Sequence, residues 1–296
     1  MPKKLPITNH QSPLPPSTLV VKLGGAEGVD FSAICQDAAR WLEQGHRLVL
    51  VHGGSAEASA LGKAVDCPPR FVTSPSGYTS RYTDRRTLEI FLMAVNGKVN
   101  SLLVEQLQGL GVNAFGLSGL DGRLIRARRK AAIRIVENGK RKVLRDDYTG
   151  KITDVNAGLL HTLLNAGYLP VIAPLAISEK GEALNVDADR AAAMVAAALG
   201  ADSLLLLTAV PGLMRNFPDE STLIKRLSQS QLEAATEYAQ GRMKKKVLGA
   251  REALQGGVGR VIIADGRVTD PVTNAMGGNG TLIQAVPDDT NSFGMI

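Results

Sequence analysis

Four separated clusters in the chain carry residues suited to holding and moving a phosphoryl group. The first is Val20-Val21-Lys22-Leu23-Gly24-Gly25, where a lysine and two glycines close an apolar run. The second, Val51-His52-Gly53-Gly54-Ser55, closes the next apolar run. Glycine lets backbone N–H groups approach an anion closely, and the start of a following helix adds a favourable dipole. Lysine supplies a compact positive charge that can follow a migrating phosphoryl group. The chain has no Gly-x-x-x-x-Gly-Lys-Ser/Thr, and Gly24-Gly25 does not continue as Gly-x-Gly-x-x-Gly, so the solution is not a P-loop.

The third cluster is Leu184-Asn185-Val186-Asp187-Ala188-Asp189, just before an alanine-rich stretch. Asn185 can both donate and accept, and Asp189 falls near a helix start. Alone, this is also what a capping turn looks like. The fourth is Gly241-Arg242-Met243-Lys244-Lys245-Lys246-Val247, a lysine run opening a helix. Positive charge there opposes the helix dipole, a local cost that a bound anion such as a nucleotide phosphate would offset.

These clusters need a scaffold, and the chain can supply one. Its 296 residues, 44% hydrophobic, suit one large α/β domain or two closely packed lobes. Aromatics are only 4%, with Trp41 the single tryptophan, which argues against a stacking platform for nucleic acid. Apolar runs such as Ser203 to Val210 are too short to span a bilayer. Residues 1–17 are rich in proline and polar side chains, reading as a disordered tail without a secretory signal; 284–296 read as a second tail. Two cysteines, Cys35 and Cys67, form no disulfide framework, and four scattered histidines give no zinc spacing. A cytoplasmic setting fits this composition.

Charge is concentrated. Of 34 Lys/Arg and 28 Asp/Glu, ten and four respectively lie between Asp121 and Asp147, leaving 24 of each sign elsewhere. The whole net charge of +6 therefore sits in one short segment and calls for an acidic partner.

Hydrophobic patterning places the clusters. Buried strands are expected at 18–23, 47–51, 113–117, 168–174, 203–207, 261–264 and 281–283. Helices are expected at 31–43, 55–63, from a Thr83-Asp84 cap to about 108, and at 154–165, 187–199, 228–238 and 243–255. A turn-rich stretch at 68–82 reads as a hairpin. A second hairpin, 131–136 and 140–144 around Asn138-Gly139, carries the basic excess. The β-α alternation implies a parallel sheet covered by helices on both sides.

In this order and spacing, the clusters resemble the amino acid kinase family, and its N-acetylglutamate kinase branch in particular, over about residues 18–283. The resemblance is carried by Lys22 to Gly25, His52-Gly53-Gly54, Gly77 to Arg81, Asn185 to Asp189 and Gly241 to Lys246. Further runs, Ser80-Arg81-Tyr82-Thr83-Asp84-Arg85, Gly116 to Gly122 and Asp147-Tyr148-Thr149-Gly150, are similar to the subgroup acting on carrier-bound substrates. Those [LysW]-aminoadipate and [LysW]-glutamate kinases phosphorylate an amino acid held on a small acidic amino-group carrier protein. Kinases of free N-acetylglutamate form the alternative, though they have little need of a basic hairpin.

The resemblance implies a three-layer αβα sandwich on a mainly parallel sheet, with a substrate and carrier lobe at 18–190 and an ATP lobe at 191–283. It implies a homodimer, ATP and Mg2+ as cofactors, no dedicated protein metal cage, and a place in lysine or arginine biosynthesis. Lys22, Asp189 and Lys246 would be catalytic. Gly53, Gly54, Ser55, Arg81 and Asn185 would bind the acyl substrate. Gly24, Gly25, Thr208, Val210, Gly212 and Lys246 would bind ATP. The carrier would meet Arg126, Arg128, Arg129, Lys130, Arg134, Lys140, Arg141 and Lys142. Many members have a third glycine where this chain has Ser55, and an acidic or amide residue where it has Ala209.

Overall fold

Alternation along the central strands sets the architecture. In Thr18–Leu23, Val20 packs into one apolar core while Leu19, Val21 and Leu23 pack into another. The strand Arg47–His52 divides in the same way, with Val49 and Val51 on one side and Leu48 and Leu50 on the other. So does Ser203–Thr208. A strand apolar on both faces must be covered on both faces. Helices Ala157–Asn165, Ala188–Leu199 and Met243–Gln255 cover one side; Phe31–Glu43, Ser101–Gly109 and Pro271–Met276 cover the other. The computed structural model, which describes residues 17–24, 31–130, 132–137 and 139–285, is thus the expected three-layer αβα sandwich.

The main sheet has eight strands, in the order Arg226–Ser228, Thr281–Gln284, Arg260–Asp265, Ser203–Thr208, Thr18–Leu23, Arg47–His52, Leu169–Ala173, Ala114–Ser118. All neighbours run parallel except Arg260–Asp265 and Thr281–Gln284. Lys22 lies level with Val51 and Leu206, so three strands end together at Gly24, Gly53 and Thr208. The carboxyl edge of a parallel sheet is where open α/β folds bind ligands. Two four-stranded sheets, built entirely from residues before 190, stand beside this edge.

Several expected elements differ. The 154–165 helix starts later: residues 150–155 form a strand paired with Ile125–Arg129, and Asn156 caps Ala157–Asn165 by accepting from Leu159 N–H at 3.2 Å. The expected 228–238 helix shrinks to Leu232–Ala235, because Arg226–Ser228 pairs with the last strand. The basic excess does not all ride on one hairpin. Arg126, Arg128 and Arg129 belong to Ile125–Arg129, whose buried Ile125 and Ala127 draw it into the body. The hairpin proper is Ala132–Glu137 with Lys140–Arg145, docked on Phe71–Thr73.

The long helix capped by Asp84 is present, but its middle, Met93–Asn100, is π-helical between the α-helical segments Arg85–Leu92 and Ser101–Gly109. This 25-residue run is long and apolar enough to cross a membrane by length and composition alone, although charged residues interrupt it. Its buried residues, among them Leu88, Val95, Val99 and Leu103, face the protein core, while Arg85, Glu89, Lys98 and Glu105 face solvent. That is the burial pattern of a core helix.

Candidate active site

Strand periodicity delivers the first catalytic candidate. Lys22 is two residues after Val20, so its side chain emerges on the face covered by Ala188–Leu199. That helix is capped by Asp187, whose carboxylate accepts from the N–H groups of Asp189 and Arg190 at 3.1 and 3.2 Å. Asp189 therefore lies in the first turn, above the end of the strand. Met243–Gln255 packs against the alanine-rich helix closely enough that a Cβ on Gly249 would sit 3.1 Å from the Asp189 carbonyl oxygen. This close approach brings in Lys246.

The result is a buried triad. Lys22 Nζ and Lys246 Nζ lie 2.9 and 3.0 Å from the same oxygen, Asp189 Oδ1, and all three residues are 6–7% exposed. Burial alone would raise the Asp189 pKa, but the two ammonium groups more than offset this and hold the carboxylate well below its usual range. Burial pushes the Lys246 pKa down to about 8, with the Asp189 charge working against that shift and Lys22 adding to it. The triad carries net charge +1 at the strand ends, where an anion would be attracted. Of the neighbouring lysines, Lys245 instead pairs with Asp187 at 3.1 Å.

The glycine turns are sterically required. A Cβ on Gly24 would lie 2.8 Å from the Leu207 carbonyl oxygen, and one on Gly54 would lie 2.5 Å from Val95 Cγ1. Leu207 is held in the central sheet and cannot retreat. Gly24→Ala is expected to lower stability by about 1–3 kcal/mol and to weaken nucleotide affinity, as read by thermal melts with and without MgATP. A wild-type melting curve and affinity would refute the steric reading.

Between the turns stands His52, a buried imidazole whose pKa falls to about 4, chiefly through burial, with Lys22 adding to the shift. It is therefore neutral. Its Nδ1–H donates to Gly53 O at 2.7 Å, and Nε2 accepts from Asn100 Nδ2 at 3.0 Å. Asn100 is the last residue of the π-helical segment and also donates to Val171 O at 2.8 Å.

Arg81 closes the other side. Its guanidinium donates to Ser55 O, Ser55 Oγ and Ser59 Oγ at 2.9, 3.1 and 2.9 Å and stacks over Phe71 at 5.0 Å. It is 7% exposed, and among the described residues no carboxylate pairs with it. A buried cation held only by neutral groups is poised for an incoming carboxylate. Ser55 thus helps hold this arginine through both its carbonyl and its hydroxyl. Asn185 Nδ2 donates to Thr83 Oγ1 at 3.1 Å.

One cavity of about 980 Å³ joins these groups. Lys22, Gly24, Gly53, Gly54, Ser55, Arg81, Asn185, Asp189, Thr208 and Lys246 all line it. Eight of its lining side chains are Lys or Arg and two are Asp, so it is built for polyanions. Val210 and Gly212 do not line it; Gly212 is buried where a Cβ would meet Thr281 Oγ1 at 2.6 Å. Gly25 lies outside the described residues.

The eight cations expected to meet a carrier divide. Lys130 and Arg134 line the cavity while keeping exposed surface. Arg126 pairs with Asp154, and Lys142 with Glu137. Arg129 pairs with Glu182 at 2.7 Å and lies 3.6 Å over the Tyr148 ring. Arg128, Lys140 and Arg141 are exposed. Sequence gives His52 and Asn100 no chemical role of their own, and Thr83 only a share in a helix cap that Asp84 alone forms. Their signal is positional only, since each is a polar residue that ends up fully or nearly buried.

Comparison with known proteins bears on the family and the fold. The sequence model described as "Amino acid kinase family" matches residues 17–265. The chain is 57% identical over 265 residues to a [LysW]-aminoadipate kinase of Deinococcus radiodurans, covering 90% of this chain and 91% of that one. It is 52% identical over 269 residues to a protein of the same name from Thermus thermophilus, covering 90% and 100%. Among solved structures, N-acetylglutamate synthase from Neisseria gonorrhoeae, complexed with coenzyme A and N-acetyl-glutamate, superposes with TM-score 0.74 at 29% identity. That match covers 92% of this chain and 60% of the synthase. Carbamate kinase from Giardia lamblia bound to AMP-PNP superposes with TM-score 0.63 at 18% identity, over 91% and 98% of the two chains, a likeness of fold. A family match across most of the sequence and relatives above half identity lead to one conclusion: the chain belongs to the amino acid kinase family.

Proposed function

We propose that this protein is an ATP-dependent kinase that phosphorylates the side-chain carboxylate of α-aminoadipate held on a LysW-type carrier protein, in lysine biosynthesis. The buried Lys22–Asp189–Lys246 triad at the glycine-lined strand ends is the observation that carries this reading. The names of the relatives at 57% and 52% identity favour the carrier-linked aminoadipate substrate over free N-acetylglutamate.

A carboxylate is already a nucleophile at neutral pH, so the reaction needs no general base. One carboxylate oxygen attacks the γ-phosphorus in line, the bond to the ADP oxygen breaks, and an acyl phosphate and ADP result. Catalysis is then positioning plus charge stabilisation. Lys22 would meet the transferring phosphoryl from the acceptor side and Lys246 from the nucleotide side. Asp189 would hold both ammonium groups in place. The backbone at Gly24 and Gly54 leaves room for phosphate oxygens, Arg81 would take the substrate α-carboxylate, and Asn185 the amide linkage.

Magnesium supplies charge neutralisation on phosphate oxygens when bound. The two carboxylates lining the cavity, Asp187 and Asp189, are both engaged by lysines. The described residues bring no three His, Cys, Asp or Glu side chains together for a metal. The ion would therefore be carried by nucleotide phosphates and water, as its coordination chemistry favours.

Lys246 gives a pH signature. It must be protonated to hold phosphate, and in the free enzyme it loses its proton as pH rises through about 8. The kcat/KM for ATP should be flat below that pH and fall about tenfold per unit above it. In kcat the limb should move to higher pH, because bound phosphates favour the ammonium. A Lys246-independent profile, flat in kcat/KM to pH 10, would remove it from the nucleotide site.

The reading is tested by trapping acyl phosphate with hydroxylamine, using carrier-linked aminoadipate, carrier-linked glutamate and free N-acetylglutamate in parallel. Product should form with the carrier-linked substrates. Side chains one methylene apart should differ by about 1–3 kcal/mol in kcat/KM. Charge reversal at the exposed Arg128, Lys140 and Arg141 should raise the carrier-substrate KM in a salt-sensitive way and leave the ATP KM alone. Efficient turnover of free N-acetylglutamate, untouched by that reversal, would overturn the carrier reading.

A further inference from the structure

The run Asp147-Tyr148-Thr149-Gly150 has no part in the transfer just described, yet Asp147 is fully buried. Its carboxylate accepts from Thr83 N–H at 3.1 Å and from the Thr149 hydroxyl. A carboxylate is costly to bury unless donors replace its water, and these donors tie it to one point of the neighbouring strand.

That point is Thr83, also fully buried, two residues beyond Arg81. Every polar atom of Thr83 is used. Its N–H donates to Asp147, and its carbonyl accepts from Tyr148 N–H at 2.7 Å. Its hydroxyl donates to Arg81 O at 3.1 Å and accepts from Asn185 Nδ2 at 3.1 Å. Tyr148 completes the ring, its carbonyl accepting from Asn185 N–H at 2.9 Å. Arg81 and Asn185 belong to different small sheets, Thr79–Arg81 in one and Ala183–Asn185 in the other. Thr83 and the Asp147 segment are the hydrogen-bonded bridge between them.

We propose that Thr83 and Asp147 are positioning residues that fix the distance between the two substrate clamps, Arg81 and Asn185. The inference rests on the substrate roles given to those two residues above. Neither positioning residue bonds to Lys22, Lys246 or Gly24, so the effect is confined to the acyl substrate. Clamps at the wrong separation cannot both meet the acyl substrate at full hydrogen-bond geometry, so the substrate is held less tightly. Burial of the Asp147 carboxyl raises its pKa, with the bonds from Thr149 and Thr83 working against that shift.

The test is steady-state acyl-phosphate formation by wild type, Thr83→Val, Thr83→Ser and Asp147→Asn, with binding of a non-hydrolysable ATP analogue measured by calorimetry. Thr83→Val keeps the shape but strands the Asn185 amide and the Arg81 carbonyl. It should raise the KM for carrier-linked aminoadipate about tenfold or more while the ATP KM and analogue affinity stay within about twofold. Asp147→Asn should give the same split. Thr83→Ser, which keeps the hydroxyl, should return the KM to within about threefold of wild type. If Thr83→Val does not fold, the Asp147→Asn and Thr83→Ser pair decides the matter by the same split. Wild-type KM in the variants, or equal losses for both substrates with a lowered Tm, would overturn the positioning role alone. No turnover by wild type would overturn the proposed function and this inference with it.

Discussion

Lys22→Met will lower kcat by about 10²–10³-fold, the loss seen when one preorganised donor is taken from a developing negative charge, and will leave the protein folded. The two halves of this expectation come from the same geometry. Asp189 keeps its second cation, Lys246 at 3.0 Å, so no buried charge is orphaned. Methionine fills nearly the same volume in a position only 6% exposed. What disappears is the positive charge that the proposed mechanism sets on the acceptor side of the phosphoryl group. Single-turnover trapping of acyl phosphate, with a melting curve on the same sample, checks both halves. Lys22→Arg should fail as well, because a planar guanidinium cannot place a point charge within 2.9 Å of Asp189 in the same space. Activity in Lys22→Met within tenfold of wild type would remove Lys22 from the reaction.

Lys22 is legible in the sequence itself. A lysine closing an otherwise apolar strand breaks the pattern visibly, and strand periodicity assigns it to the Val20 face without any structure. The Leu184 to Asp189 run is likewise legible as a capping turn, and the structure makes Asp187 the cap of a helix that begins at Ala188. The meeting of Lys22, Asp189 and Lys246 was not legible from local pattern. Their separations in sequence hold no periodicity, and only the family resemblance joined them. The close approach of the two helices depends on alanines and Gly249, whose meaning appears once the partner helix is known.

The misread segments have a common cause. Asp154 and Asn156 are both good caps, and pairing of Gly150–Val155 with Ile125–Arg129 chose the later one. Ser228 heads a helical pattern, yet pairing of Arg226–Ser228 with Leu282–Gln284 claimed it for a strand. In both places a tertiary contact overrode an even local choice. The π-helical stretch lies deeper still. Side-chain periodicity over eight residues cannot reveal which carbonyl each N–H chooses, and it is this register that accompanies the reach of Asn100 to His52. The basic excess was legible as a count but not as a surface, because Ile125 and Ala127 pull three of its arginines onto a sheet of the body.

Asp189→Asn reverses the balance found for Lys22, striking stability as hard as catalysis. The neutral amide leaves two ammonium groups buried beside one another, where before each lay within 3.0 Å of a shared anion. Breaking a buried ion pair by removing one partner costs about 3–5 kcal/mol, which for a chain of this size corresponds to a fall in Tm of roughly 5–15 °C. Lys246, already pushed down to about 8 by burial with Asp189 opposing the shift, loses that opposition and deprotonates more readily. The variant should therefore respond to nucleotide differently from wild type. Phosphate oxygens become the missing counter-ion, so MgATP should raise the Tm of Asp189→Asn by more than it raises that of wild type, while turnover stays lost because nothing fixes the spacing of the two lysines. Paired melting curves with and without MgATP read this directly. An unchanged Tm in Asp189→Asn, with an equal nucleotide shift in both proteins, would mean that the two lysines are held apart by something other than the carboxylate, and the triad would lose its claim to organise the site.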